Sequence, residues 1–311
     1  MSWSLVGDIG GTNCRLARAD GLQLTHRTKG DSRDLFQKIG QFADAQGRKP
    51  SAVVISAAGL VRNNILSLTN TNADMNIADL ENWFSGAHVQ ILNDFEAAAW
   101  ALDAAHPKDF KMLRGTITRG VKTVIGVGTG LGVGVWTGTS ALKTEGGHIT
   151  AYPLTELEIQ MFAVLRRHWP DVALGNLGVE AEALLSGIGL PRVMNAYQEV
   201  FGQPMKILDA ANVIASAQQN DQAAIKTLES FSCHLGSLVG DLFNAYWATG
   251  GIVLTGGVLR KAPHLLNDDF WQSLNSGGRY TQMRRAVPVA LWANDDIGLM
   301  GSAAAAAKAL R

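Results

Sequence analysis

The chain has 311 residues, of which 47% are hydrophobic and 17% are charged, and its formal net charge is +0. This length exceeds the size at which one hydrophobic core usually stops growing, so we expect two domains. The balanced charge argues against a nucleic-acid partner, which would need a basic face. No run of 18 or more apolar residues occurs, which argues against a membrane span. The two cysteines, Cys14 and Cys233, lack metal-binding spacing and favour a reducing, cytoplasmic setting without structural zinc.

Strands and helices alternate in the first third of the sequence. Residues 4–28 have the pattern of an antiparallel meander, with one glycine turn after the first strand and an Asp20-Gly21 turn after the second. The continuous apolar run 52–55 is typical of a strand that is buried on both faces. Before this run, we predict a helix over 34–46. After it, we predict strands over 64–68 and 89–92 and helices over about 76–85 and 95–105.

The remaining two thirds begin with a predicted connector over 107–120. Residues 123–136 then repeat the strand, glycine turn, strand pattern of the N-terminus, which suggests an internal duplication at about 120 residues. Helices dominate from 154 to 248. A strand over 252–255, a last strand over 287–291 and a helix over 297–310 complete the chain. This alternation predicts an α/β architecture.

Three predicted strands run directly into glycine turns, at 7–11, 126–134 and 256–257. Glycine lets the backbone approach a ligand closely, and successive N–H groups in such turns form anion-binding concavities. Asp8 precedes Gly10-Gly11, where a bare carboxylate would repel a phosphate unless Mg²⁺ lay between them. An ordinary hairpin turn is the alternative for one Gly-Gly, but three such turns favour a nucleotide with a phosphate tail and a base.

The familiar nucleotide-binding motifs are missing. No G-x-G-x-x-G follows the first strand, which argues against a Rossmann dinucleotide site. Gly115 to Gly120 has the spacing of a P-loop, but Val121 displaces Lys122-Thr123 by one residue. Neither H-R-D nor D-F-G occurs, which excludes a protein kinase, and G-x-S-x-G is absent as well. The residues by themselves therefore predict a nucleotide-binding α/β protein.

Six short segments occur in one order along nearly the whole chain. They are 5–13, Leu92-Asn93-Asp94-Phe95, 126–132, Glu145-Gly146-Gly147-His148, Thr255-Gly256-Gly257-Val258 and 296–302. In this order they resemble the first phosphate loop, catalytic segment, second phosphate loop, sugar-binding segment, adenosine turn and closing helix of the bacterial glucokinase family. Glu182, just before 185–190, is similar to a further sugar-contacting glutamate of that family. The cysteine-rich zinc motif of a related repressor and kinase group is missing, so the resemblance is to the zinc-free glucokinases.

The resemblance implies an α/β fold of two RNase H-like domains, as in actin-like ATPases, that flank an active-site cleft. The small domain would hold residues 1–105 plus 297–311, and the large domain residues 106–296. The implied reaction is the ATP-dependent phosphorylation of glucose at the 6-hydroxyl, a step of glycolysis that gives glucose 6-phosphate and ADP. ATP and Mg²⁺ would be required, and family precedent suggests a homodimer.

Asp94 would be the general base that accepts the hydroxyl proton, a contribution of about 10²–10⁴-fold. An aspartate at a strand-to-helix junction is equally suited to be a helix N-cap, and both roles can hold at once. The residues that would contact the sugar are Asn70, Asn93, Asp94, Glu145, His148 and Glu182. For Asn70, which lies in the polar run 69–72, a plain polar turn is the alternative.

The two phosphate loops would hold the phosphates of ATP from two sides, and the adenosine turn would also contact ATP. The residues concerned are Gly7, Asp8, Ile9, Gly10, Gly11, Thr12, Asn13, Gly128, Thr129, Gly130, Gly256 and Gly257. Asp8 would hold Mg²⁺ through water, because Mg²⁺ tends to retain its hydration. Closure of the domains would exclude water and limit ATP hydrolysis.

One segment, 57–64, departs from the proline- and aspartate-containing pattern of the better-known glucokinases. A kinase for another hexose or an N-acetylhexosamine is therefore an alternative. A sugar-sensing regulator on the same scaffold would carry an N-terminal helix-turn-helix and would tolerate loss of the base, whereas the first strand begins by Ser4 and Asp94 is present. A chaperone-like ATPase that needs no sugar is the third alternative.

Overall fold

The structure is a computed structural model that describes residues 2–10, 14–31, 34–62, 65–68, 74–206 and 209–311. Its strands, in chain order, are β1 (Ser4–Ile9), β2 (Cys14–Asp20), β3 (Gln23–Gly30), β4 (Ala52–Ala57), β5 (Gly59–Arg62), β6 (Ile65–Leu68), β7 (Asp74–Asn76), β8 (His88–Asn93), β9 (Phe110–Arg114), β10 (Lys122–Val127), β11 (Leu131–Trp136), β12 (Ala141–Leu142), β13 (Thr150–Ala151), β14 (Ala173–Leu174), β15 (Gly178–Glu180), β16 (Gly251–Thr255) and β17 (Val289–Trp292). Its α-helices are α1 (Leu35–Asp44), α2 (Ile77–Trp83), α3 (Asp94–Ala104), α4 (Glu156–His168), α5 (Gly189–Val200), α6 (Ala210–Gln218), α7 (Gln222–Tyr246), α8 (Gly257–Lys261), α9 (Asp268–Asn275), α10 (Thr281–Ala286) and α11 (Ile297–Ala309). The α/β class expected from the sequence is confirmed.

The chain divides into two compact units. Unit 1 comprises residues 1–111, 134–144 and 292–311, and unit 2 comprises residues 112–133 and 145–291. The domain boundaries expected from the sequence stay a prediction. Within the described part of the chain, no helix is long and apolar enough to cross a membrane.

Unit 1 is built on a five-stranded sheet of order β3-β2-β1-β4-β8. Strand β1 runs antiparallel to β2 and parallel to β4, and β4 runs parallel to β8. This order, with one antiparallel neighbour beside parallel strands, is the RNase H-like arrangement that the family resemblance implies.

Both faces of this sheet are covered, because successive side chains of a strand point to opposite faces. On one face, Leu5 and Val53 pack in a cluster with residues of α1 and α2. On the other face, Val6 and Val54 pack in a second cluster with residues of α3 and α11. Burial on both faces explains why the central strand β4 is a continuous apolar run.

A six-stranded sheet of order β12-β11-β10-β16-β17-β9 has its central strands β10 and β16 in unit 2. Strand β10 runs parallel to β16, and β16 runs parallel to β17. The neighbour order β11-β10-β16-β17 repeats the order β2-β1-β4-β8 of unit 1, as a duplication would produce. One large apolar core joins these strands to α4, α5, α7 and α9.

The predicted connector 107–120 was wrong in detail. It contains β9, whose pairing is long-range and whose sequence carries Lys111 and Arg114 among its apolar residues. Residues 154–248 are mainly helical, as predicted, but the short strands β14 and β15 also lie there and form a small sheet of order β13-β15-β14. Strands of two or three residues are too short to leave a period-two pattern, which is why the sequence did not reveal them.

Candidate functional site

Two of the predicted site segments lie at one edge of the unit 1 sheet. The parallel strands β1, β4 and β8 end together, since Ile9 pairs with Ala57 and Ala57 pairs with Asn93. Asp8 lies one residue before the end of β1, and Asp94 directly follows the last residue of β8. The carboxyl ends of strands are where ligands bind in open α/β sheets. The register therefore brings the first glycine loop and the Asn93-Asp94 segment to the place expected for a ligand.

Asp8 lies in a mostly buried, polar environment at the end of β1. Its Oδ2 accepts a hydrogen bond from Nη1 of Arg15 at 3.0 Å, and its Oδ1 accepts one from the Ser56 hydroxyl at 3.2 Å. Burial raises the pKa of Asp8 above its ordinary value, although the Arg15 charge and these two hydrogen bonds act in the opposite direction. A Cβ on Gly298 would lie 2.5 Å from Oδ1, so the carboxylate packs directly against the start of α11, and glycine is required at 298.

The donor set at Asp8 fits Mg²⁺. Among the residues that the structure describes, no group of three or more His, Cys, Asp or Glu side chains could hold a metal ion. Mg²⁺ does not require such a cage, because it is usually held by one or two carboxylates, water and substrate phosphates. The carboxylate of Asp8, whose side chain is 21% exposed, matches that pattern.

The first glycine loop is only partly described. The carbonyl oxygen of Gly7 accepts hydrogen bonds from the hydroxyls of Ser56 and Ser302, at 3.2 and 3.1 Å. The side chain of Ile9 is buried in the core, and its carbonyl oxygen accepts the amide of Ala58. Gly10 is described, whereas Gly11, Thr12, Asn13 and the predicted sugar contact Asn70 lie outside the described residues.

Helix α3 begins directly at the predicted catalytic segment. Asn93 has extended backbone angles (φ −64°, ψ 152°) and is the N-cap, because its Oδ1 accepts the amide of Phe95 at 2.9 Å. Asp94 is the first helical residue, and its own Oδ1 accepts the same amide at 2.9 Å. The N-cap role considered for Asp94 therefore belongs to Asn93. Burial raises the pKa of Glu96, in the same helical turn, although a hydrogen bond from the Asn93 backbone opposes this.

The second glycine loop, in unit 2, is held through its backbone. The Gly128 amide donates to the Gly130 carbonyl oxygen at 2.9 Å, which closes the turn. The carbonyl oxygens of Gly128 and Thr129 accept the amides of Gly187 and Ile188, at 2.8 and 3.3 Å. These bonds fix the orientation of the peptide groups that are predicted to contact phosphate.

The segment Glu145-Gly146-Gly147-His148 includes a short 3₁₀ turn over Gly146–His148. Glycine is required at position 147, because a Cβ there would overlap the carbonyl oxygen of Leu131. Nδ1 of His148 lies 3.3 Å from Oε2 of Glu180. Sequence reasoning missed Glu180, whose approach to His148 depends on the pairing of Thr150 with Glu180 between β13 and β15.

Glu182 lies in a second 3₁₀ turn, Ala181–Ala183, next to this segment. Its Oε2 accepts a hydrogen bond from the Leu131 amide at 2.8 Å. The predicted adenosine turn approaches the same region of unit 2, since Gly256 has a φ of 105° and a Cβ there would overlap the backbone of Val127. Glycine is therefore required at 256 both by conformation and by space.

Comparison with known proteins agrees with this arrangement of elements. A family model described as Glucokinase matches residues 5–309. The glucokinase of Zymomonas mobilis is 34% identical, over 96% of this chain and 95% of its own length. The crystal structure of a glucokinase from an Antarctic psychrotroph has a TM-score of 0.86 at 28% identity, with 99% of each chain covered. A glucokinase from Balamuthia mandrillaris, solved in complex with glucose, shares the fold with a TM-score of 0.78 at 19% identity, over 99% of this chain and 94% of its own. The chain belongs to the glucokinase family.

Proposed function

We propose that the protein transfers the γ-phosphoryl group of ATP to the 6-hydroxyl of glucose, which gives glucose 6-phosphate and ADP. The observation that carries the proposal is the shared edge of the unit 1 sheet, to which β1 and β8 bring Asp8 and Asp94. A cation ligand and a proton acceptor at one edge of a sheet suit a phosphoryl transfer in a chain of the glucokinase family. Glucose is the acceptor because relatives bear the name glucokinase and the Balamuthia mandrillaris enzyme was solved with it.

Asp94 is the general base in this proposal. The Phe95 amide holds its carboxylate in a defined orientation at the start of α3. The carboxylate accepts the proton of the 6-hydroxyl as that oxygen forms its bond to the γ-phosphorus, and the bond to the β-phosphate oxygen of ADP breaks. Catalysis of such a transfer depends mainly on positioning and charge stabilisation, so an oriented base matters more than an unusual pKa.

The sugar contacts follow from the donors and acceptors available. Asn93 uses Oδ1 to cap α3, so its NH₂ group serves as the donor to a sugar oxygen. Glu145 and Glu182 supply acceptors. Nδ1 of His148 faces Glu180, so Nε2 is the ring nitrogen that contacts a sugar hydroxyl. Asn70 is retained as a further sugar contact from the family resemblance.

The donor contacts use both glycine loops. Backbone N–H groups of Gly10, Gly11, Thr12 and Asn13 and of Thr129 and Gly130 bind the phosphates, Gly128 closes the turn with its own amide, and Gly256 and Gly257 contact the nucleoside. Asp8 holds Mg²⁺ through water, and the bound ion neutralises charge on the phosphoryl oxygens. A homodimer, a cytoplasmic location and a role in glycolysis belong to the same proposal and rest on the family resemblance.

An ADP-release assay with glucose, mannose, fructose and N-acetylglucosamine tests the proposal. We expect the highest kcat/KM with glucose, and we expect Asp94→Asn to lower kcat by about 10²–10⁴-fold while sugar binding is retained. Asp103→Asn, on the exposed side of the same helix, is the matched control. Higher kcat/KM for another sugar would overturn the assignment to glucose, and ATP hydrolysis that glucose fails to accelerate would overturn the kinase assignment.

A further inference from the structure

Glu182 connects two parts of unit 2 to which the proposed function gives different ligands. Its Oε2 accepts the backbone amide of Leu131 at 2.8 Å, across 51 residues of sequence. Leu131 directly follows the second glycine loop, which contacts phosphate in the proposed function. Glu182 itself is a sugar contact in that proposal. The Glu182 side chain thus links the proposed sugar subsite to the proposed phosphate subsite.

The approach of these segments depends on glycine. A Cβ on Gly130 would lie 2.5 Å from Oε2 of Glu182, which is closer than real Cβ contacts come. A Cβ on Gly147 would overlap the Leu131 carbonyl oxygen, so the sugar segment packs against the same residue at its next peptide group. Leu131 is therefore held through its amide by Glu182 and enclosed at its carbonyl by Gly147.

In the described part of the chain, three hydrogen bonds join residues 128–131 to residues 182–188, and the bond to Glu182 is one of them. The amides of Gly187 and Ile188 donate to the carbonyls of Gly128 and Thr129, whereas Glu182 accepts from Leu131. Among the three, only the bond from Leu131 is made by a charged side chain, and charge-assisted hydrogen bonds are roughly twice as strong as neutral ones. A movement of Glu182 would therefore change the position of the glycine loop.

We propose that Glu182 is a positioning residue for the phosphoryl donor as well as a sugar ligand, and that it couples the two subsites. A carboxylate has two oxygens and about four acceptor sites, so it can hold the Leu131 amide and a sugar hydroxyl together. Glucose that engages this carboxylate orders the glycine loop, and nucleotide that engages the loop orders the carboxylate. The inference rests on the proposed function for the identity of the two ligands.

Binding measured with one ligand at a time separates this role from a plain sugar contact. We expect Glu182→Ala to raise the Kd of ADP about tenfold in the absence of any sugar, because a hydrogen bond to a charged group is lost. Glu182→Gln keeps an acceptor for the Leu131 amide and should restore most of the ADP affinity. Glu156→Ala, which removes an exposed carboxylate in the first turn of α4, is the matched control and should leave ADP binding unchanged.

The reverse experiment uses the glycine loop. We expect Gly130→Ala to weaken glucose binding roughly tenfold in the absence of nucleotide, since the added Cβ displaces the Glu182 carboxylate. Coupling free energies are reciprocal, so each ligand should tighten the other by the same factor in the wild type and by a smaller factor in Glu182→Ala.

The proposal would be overturned if Glu182→Ala and the wild type bound ADP with equal affinity in the absence of sugar, even if the wild type phosphorylates glucose. A wild type that binds ADP but does not phosphorylate glucose, together with a weakened Glu182→Ala variant, would overturn the sugar assignment and support the positioning role. A wild type that binds no ADP would overturn both.

Discussion

The two glycine loops follow equivalent strands of two sheets that share an order of neighbours, yet the residues described in each have different partners. At the described start of the first loop, the Asp8 side chain contacts Arg15 and Ser56, and the carbonyl oxygens of Gly7 and Ile9 accept hydrogen bonds. At the second loop, the bonds involve backbone groups of 128–131, and the partners include two amides and the carboxylate of Glu182. A repeated topology therefore does not repeat the chemistry. The first loop provides a charge suited to a cation, and the second provides a rigid backbone.

The largest expected effect is at the charge of the first loop. We expect Asp8→Asn to lower kcat/KM by about 10²-fold or more, because stabilisation of the phosphoryl charge is lost. Measuring kcat/KM as a function of Mg²⁺ concentration tests this loss, and the variant should require a higher Mg²⁺ concentration than the wild type. Asp20→Asn, which breaks an exposed ion pair with Arg18 in β2, is the control. An Asp8→Asn enzyme with wild-type activity and Mg²⁺ dependence would contradict the difference between the loops.

The next effect is at the packing of the second loop. Gly147→Ala places a Cβ against the Leu131 carbonyl, so the backbone must shift, at a cost of about 1–3 kcal/mol in the free energy of unfolding. Urea unfolding measures this loss, and glucose binding should weaken in parallel. Gly30→Ala, in β3, where an added Cβ meets nothing within 4 Å, should not be destabilised by a clash. Equal stabilities for the two variants would show that the second loop is not tightly packed.

A smaller effect is expected at Glu180. We expect Glu180→Gln to raise the KM for glucose about fivefold with little change in kcat, because the His148 ring loses the partner that orients it. In a His148→Asn background the same substitution should have no further effect. Double-mutant kinetics give the coupling, and additive losses would mean that Glu180 does not act through His148.

The smallest effect concerns Cys14, which begins β2 immediately after the first loop. Burial raises the pKa of its thiol to about 11. At pH 8, which is below this pKa, the fraction of Cys14 in the thiolate form is on the order of one part in a thousand. Because the thiolate is the reactive form, alkylation should be slow. Mass spectrometry after iodoacetamide treatment of native and urea-unfolded protein measures the difference. Rapid modification of native Cys14 would show that the strand after the first loop opens readily.

Much of the architecture followed from local patterns. The apolar run of β4, the meander of β1, β2 and β3, and the glycine turns were predictable because each depends on neighbouring residues. The family was identified from motifs in order, and the family model over residues 5–309 confirmed it. The short strands β9 and β13 were not predictable, because pairing with distant segments defines them. The individual ligand contacts and the homodimer stay predictions.

The sequence by itself determined which residue types are present for chemistry and that glycine turns follow the strands. Only the tertiary structure decided their partners. It showed that Asn93 rather than Asp94 caps α3, that Arg15 and Ser56 bind Asp8, and that Glu182 holds the peptide after the second glycine loop. The physical reason is distance along the chain: Ser56 and Asp8 are 48 residues apart, and Glu182 and Leu131 are 51 apart. Strand register and close glycine contacts bring such groups together, and no local pattern encodes them.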